Sequence, residues 1–146
     1  MEQDDIQRRT ALLAAFFDLA PMKHTFGMSL SFDAEGRARF ELPHKKGFEH
    51  ALKDTHGGVI ATLIDNAGWF TAATRYDCWV NTAEMTVRLH EPAKREDLIA
   101  TGQLVRAGSK LAVTTMEVRS RSGRLIATGS GAFVVSTKPI APPDAS

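Results

Sequence analysis

Apolar residues recur along this chain with two different periods, and the changes of period mark its elements. Near the start, Ile6, Leu12, Leu13, Phe16 and Phe17 partly follow the 3.6-residue spacing of a helix. Asp4 or Asp5 is placed to cap that helix over residues 1–20, and Pro21 to end it. From Met28 the period drops to two. Met28, Leu30 and Phe32 alternate with polar residues, and after the turn Asp33-Ala34-Glu35-Gly36 so do Ala38, Phe40 and Leu42. This predicts a hairpin of two half-buried strands. The polar stretch from Pro43 to Thr55 reads as a loop. The run from His56 to Thr74, HGGVIATLIDNAGWFTAAT, shows no alternation and is apolar on most sides, with Val59, Ile60, Leu63, Ile64, Ala67 and Phe70 at helical intervals. A helix apolar nearly all round belongs inside something, so the strands are expected to wrap it.

Alternation returns at Ala83, Met85, Val87 and Leu89, with Thr82, Glu84, Thr86 and Arg88 on the opposite side. Leu98–Arg106, Leu111–Arg119 and Arg124–Ser136 follow, joined by short Gly-containing turns of the kind that pair strands antiparallel. The order read from the pattern is helix, two strands, long buried helix, three strands. That is an α+β layer with an antiparallel sheet on one helix, a single domain over residues 1–137. Three prolines in the nine residues from Lys138 to Ser146 predict an unstructured tail.

Composition narrows the function classes. With 146 residues, 43% hydrophobic and 24% charged, the chain has the balance of an ordinary globular domain. A net charge of +1 argues against a nucleic-acid footprint, and no apolar run reaches the roughly 20 residues that span a bilayer. The lone Cys78 cannot staple a fold, and the acidic start MEQDDIQRRT is unlike a secretory signal, so a cytoplasmic location is expected. The charge is uneven, however. Residues 1–85 hold nine basic and twelve acidic side chains, and residues 86–138 hold nine and four. A basic C-terminal half offers a place for phosphates, or only solvated strand faces.

Candidate chemistry gathers on the long helix. Asp65 sits midway along it, and an ionised carboxylate loses several kcal/mol of solvation in an apolar interior unless it is paired. Helical spacing places Gly58, Ala61, Thr62, Gly68, Trp69 and Ala72 on its face, a surface small enough for another backbone or a thin ligand to approach. Either Asp65 is functional, or it bonds to a neighbouring strand or emerges into solvent. His56-Gly57-Gly58 opens the same helix, where bare N–H groups and the helix dipole favour an anion or a polarised carbonyl. Gly57 and Asp65 are separated by ~12 Å along the axis at 1.5 Å per residue, whereas reacting atoms must come within about 3–3.5 Å. If both act on one substrate, they come from two copies of the chain. An antiparallel two-fold pairing of helices would then make two equal sites, which predicts an obligate homodimer.

These segments, HGGVIATLID, VNTAEMTVRLHEPA around Thr82, and VRAGSKLAVTTMEVRSRSGRLIATGSGAFVV, resemble the hotdog-fold acyl-CoA thioesterases of the phenylacetate-degradation (PaaI-like) type over residues 25–136. The most specific element is HGG with an acid nine positions after the His, followed by a strand ending in Pro92-Ala93. The resemblance implies a long helix wrapped by an antiparallel sheet, homodimers and often dimers of dimers. It also implies hydrolysis of an acyl-CoA to a free acid and CoA, with no cofactor beyond the coenzyme A of the substrate. Carried over, the nucleophile or general base falls on Asp65. The carbonyl-polarising N–H falls on Gly57 of the partner subunit with His56 beside it, and a helper hydroxyl falls on Thr82. The family often has an Asn six residues before the HGG His, and here that residue is His50. Coenzyme A gives the basic half a purpose, with Arg88, Arg106, Arg119 and above all Lys110 as candidates for its phosphates. Trp69 and Phe70 point to aromatic or medium apolar acyl groups, or simply to core.

Other signals fail. Gly129-Ser130-Gly131 has the wrong spacing for a nucleophile elbow, and there is no Walker or dinucleotide glycine pattern. His44, His50, His56 and Asp54 lack the spacing of a zinc site. The hotdog hydratases want a His five positions after the Asp, where this chain has Phe70. The rival from another class is a hotdog dimer that binds or senses acyl-CoA without cleaving it.

Overall fold

The computed structural model describes residues 2–143. In chain order the elements are α1 (Gln3–Leu19), α2 (Pro21–Phe26), β1 (Ser29–Phe32), β2 (Ala38–Leu42), α3 (Gly57–Ala73), β3 (Cys78–Leu89), β4 (Leu98–Ala107), β5 (Leu111–Ser120) and β6 (Leu125–Pro139). Four strands therefore follow the long helix where three were expected. The alternating segment around Ala83–Leu89 is a strand in its own right, besides the three joined by tight turns.

The strands form one antiparallel sheet in the order β1-β2-β4-β5-β6-β3. The sheet wraps α3, whose Leu63, Ile64 and Ala67 are fully buried against Phe40, Leu42, Leu98, Ala100, Val118 and Ala127. This is the expected α+β layer with the helix inside, and β3 is left as an outer edge of twelve residues.

The contact between helix and sheet is unusually close, and glycines allow it. A Cβ on Gly102 would stand 2.3 Å from the Ala67 carbonyl oxygen and from Thr71 Oγ1. A Cβ on Gly68 would stand 2.8 Å from Met116 and Thr114 side-chain atoms. Gly68 and Ala72 therefore belong to the sheet-facing side of α3, not to the Asp65 face where even helical spacing placed them. The helix propensity lost at Gly68, about 1 kcal/mol, is offset by the Met116 and Thr114 side chains that pack closely over it.

The ends of the chain depart from expectation in three places. Glu2 rather than an Asp is the N-cap residue of α1, without a side-chain bond, while Asp4 and Asp5 lie in the first turn. Acids there still favour the positive end of the helix dipole. Pro21 ends α1 but also opens α2, which closes on Gly27 at φ 73°. At the other terminus β6 runs on to Pro139, and the Ile140 N–H donates to the Asp77 carbonyl. The chain expected to be loose from Lys138 is thus in the sheet for two residues more, and Asp144–Ser146 lie outside the described residues.

Candidate active site

The start of α3 is held by its own loop. His56 is extended, at φ −59° and ψ 137°, and its Nδ1 accepts the Gly58 N–H at 2.8 Å, which caps the helix. The His56 N–H donates to Phe48 O, and the Thr55 N–H donates to the carbonyl of the fully buried Ala93. The Pro92-Ala93 pair after β3 is therefore an anchor for the residues that lead into Gly57. With Gly58 satisfied by the cap, the Gly57 N–H finds no acceptor among the described residues. It lies at the positive end of the helix, in an open recess of about 400 Å³ lined by His50, Leu52, Thr55, Gly57, Leu89 and Pro92. His50 shares that recess. Its Nδ1 accepts the Leu52 N–H at 3.1 Å, which leaves Nε2 as the ring nitrogen able to donate from a neutral imidazole.

Two turns further along α3, Asp65 is half-buried and accepts the Thr82 hydroxyl on Oδ1 at 2.7 Å. A bulge in β3 creates this contact. Between Thr82, opposite Phe133, and Glu84, opposite Ala132, the register shifts by one residue at Ala83. Simple alternation would put Thr82 with Glu84, Thr86 and Arg88 on the outer side. The extra residue turns it inward, onto the same side as Val87, which packs on the core. One rung along, Trp69 donates its indole N–H to Val80 O at 2.8 Å. Asp65 thus faces a seam between α3 and the exposed residues Asn81–Thr86 of the edge strand. Eight residues of helix still separate Asp65 from Gly57, ~12 Å along the axis.

The candidate cations are spread out. Arg88, opposite Thr128, lies in the outward row of β3. Arg106 and Lys110 flank the β4–β5 turn, where the Tyr76 hydroxyl donates to Gly108 O at 2.7 Å, at the C-terminal end of α3 and away from Gly57 of the same chain. Burial holds the Tyr76 hydroxyl above its ordinary range, with nearby Arg106 pulling the other way. Arg119, also considered, is instead engaged with Glu117 at 3.0 Å. Of the histidines weighed as metal ligands, His44 pairs with Glu49 at 2.9 Å. Among the described residues no group of three His, Cys, Asp or Glu gathers as a metal would require. Sequence reasoning missed the Ala83 bulge, the Val80 carbonyl under Trp69, and Trp79. The last is also a point of irregular register, between Cys78 and Val80.

Comparison with known proteins agrees with this architecture. The family model of the thioesterase superfamily matches residues 52–127, from the recess loop through β6's first residues. A protein of Halobacterium salinarum, named provisionally as an esterase, is 31% identical over 144 residues, 90% of this chain and 95% of its own. Acyl-coenzyme A thioesterase 13 of Homo sapiens is 29% identical over 99 residues, 66% of this chain and 71% of its own. The PaaI protein from the phenylacetic acid degradation operon of E. coli superposes with a TM-score of 0.85 over 95% of this chain and 99% of that one; at 16% identity the likeness concerns the fold. The chain belongs to the thioesterase superfamily and has its hotdog fold. The activity that this membership supports is thioester hydrolysis.

Proposed function

We propose that the protein hydrolyses acyl-CoA thioesters at two equal sites, each built by two copies of the chain. The observation that carries the reading is a pair of complementary half-sites. Asp65, held by Thr82, faces the seam beside an exposed edge strand, and an N–H without an acceptor stands at Gly57 about 12 Å along the same helix. An edge strand of twelve residues with unpaired backbone groups is a template for a second copy. Antiparallel pairing of β3 with β3 of the partner subunit would set the two α3 helices antiparallel and bring each half-site to its complement. It would also bring Arg106 and Lys110 toward the recess of the partner subunit, where they are candidates for the CoA phosphates.

In this reading Gly57 of the partner subunit donates its N–H to the thioester oxygen, and the helix end stabilises the charge that develops there. Asp65 takes a proton from a water as the water oxygen bonds to the carbonyl carbon, or attacks that carbon itself to give an anhydride. In the first route the C–S bond of the adduct then breaks, the CoA thiolate leaves and takes up a proton, and the free acid remains. In the second the thiolate leaves as the anhydride forms, and a water then splits the anhydride into the free acid and the Asp65 carboxylate. Thr82 orients Asp65 or the water. His50 offers Nε2–H to the recess.

Thiol release from a panel of acyl-CoAs tests the reading. Asp65→Asn should lower kcat by about 100-fold or more while acyl-CoA still binds. Gly57→Pro removes the N–H where the helix tolerates proline, at its first position, after an extended His56. It should be inactive too. Co-expressing the two inactive chains should restore about a quarter of the wild-type rate, since half the dimers are mixed and each holds one intact site. Thiol release by Asp65→Asn at the wild-type rate would remove Asp65 from the chemistry, and no thiol release by wild type from acyl-CoAs that it binds would leave the non-cleaving acyl-CoA binder as the better reading. Absence of rescue in the mixture would refute the two-chain site.

A further inference from the structure

We infer that Trp69 is the end wall of the acyl subsite and limits this protein to short acyl groups; the inference rests on the thioesterase reading above. Trp69 lies one helical turn past Asp65 on the same face of α3, ~6 Å along the axis, about the length of a five-carbon chain. Its ring cannot swing aside freely, because the indole N–H is committed to Val80 O at 2.8 Å. Aromatic neighbours support it on the sides away from Asp65. Phe70 lies 4.7 Å away, edge to face, and Trp79 lies 5.9 Å away, with Phe16 at 4.8 Å beyond it. The other direction along the Asp65 face offers no depth. Ala61, Thr62 and Gly58 lead toward Gly57, hence toward the second site of the same dimer, so each site owns only half of that ~12 Å stretch. An acyl chain that starts at a carbonyl beside Asp65 therefore meets Trp69 after a few carbons.

What lies behind the wall makes the assignment testable. Trp79 and Phe16 also line an open apolar groove of about 500 Å³, with Leu19, Pro139 and Pro142. Trp79, whose ring lies 5.9 Å from that of Trp69, stands between Trp69 and this groove. Removing the Trp69 indole would leave only Trp79 between the Asp65 seam and this groove and lengthen the space open to an acyl chain.

The experiment compares kcat/KM for butanoyl-, hexanoyl- and dodecanoyl-CoA in wild type, Trp69→Ala, Trp69→Leu and Trp69→Phe. Wild type should turn over the first two and discriminate against the third by at least ~10-fold. Trp69→Ala, or Trp69→Leu should the alanine variant not fold, should raise the dodecanoyl-to-butanoyl ratio by about 10-fold or more. Trp69→Phe loses the bond to Val80 but keeps a ring packed against Phe70 and Trp79, and should keep the ratio within about threefold of wild type. That separates a wall from a merely structural tryptophan. A wild-type preference for dodecanoyl-CoA, or a ratio unmoved in the alanine and leucine variants, would overturn the assignment while leaving the thioesterase reading intact. No thiol release by wild type from any of the three, nor from a wider panel, would overturn both.

Discussion

The contact between Gly102 and α3 sets the position of everything on the helix, and Gly102→Ala measures it. The added methyl would lie 2.3 Å from Ala67 O and Thr71 Oγ1, so strand and helix must part by about 1 Å to reach normal contact. Overpacking of that kind costs about 1–3 kcal/mol. Thr71 Oγ1 also accepts the N–H of the fully buried Ala38 at 3.0 Å and donates to Ala67 O at 2.7 Å. Displacing it strands a buried donor, worth another 1–3 kcal/mol or so. A loss of about 3 kcal/mol or more is expected. Gly68→Ala is the control. Its methyl would meet Met116 and Thr114 side chains at 2.8 Å, and the flexible Met116 can yield. Alanine also gains about 1 kcal/mol of helix propensity, so the net should stay within about 1 kcal/mol of zero. Urea unfolding reads both: for a slope of ~2 kcal/mol/M, Gly102→Ala should lower the midpoint by about 1.5 M at unchanged slope. A loss below ~1 kcal/mol, or an equal loss in Gly68→Ala, would refute the claim that rigid backbone contact at Gly102 seats the helix.

Two further predictions probe the site and the pH response. Thr82→Val keeps the shape but removes the hydroxyl from Asp65, and should lower thiol release about 10-fold without changing thermal stability, while Thr82→Ser should restore it; equal rates for all three would remove Thr82 from the site. Asp77 ties α1 to the end of α3 through hydrogen bonds to Arg9 at 2.9 Å and Arg8 at 3.0 Å, which hold its carboxyl down to about 2 from 3.8. A lowered folded-state value means that the stabilisation is complete above about pH 4 and is lost as pH falls toward 2. Because the side chain is 62% exposed, screening should keep it below about 1 kcal/mol. Asp77→Asn should therefore cost that much at pH 7 and only a small fraction of it at pH 2. A cost in urea unfolding that stays constant across this range would contradict the ion-pair account.

Whatever is local in this protein could be read from its residues. The period of 3.6 between His56 and Thr74 marks the helix, and the period of two marks the first hairpin and β3, because those spacings follow from backbone geometry alone. The candidate residues His56, Gly57 and Asp65 lie within ten positions of one helix, so the helical rise alone gives their separation, and a site that used both on one substrate would need a second chain. Other features depend on what lies across the fold. Even spacing could not tell that Gly68 faces Met116 rather than the Asp65 seam, since that depends on which side of α3 the sheet covers. Strict alternation assigned Thr82 to the outer face, and only the Ala83 bulge, a product of pairing with β6, turns it onto Asp65. That β3 ends up at the edge beside β6, and not beside β4 which follows it in the chain, is likewise a matter of long-range pairing. Periodicity fixes which side of an element is apolar. The partner that buries that side, and the one-residue slips that aim individual side chains, are decided by contacts between segments far apart in the chain.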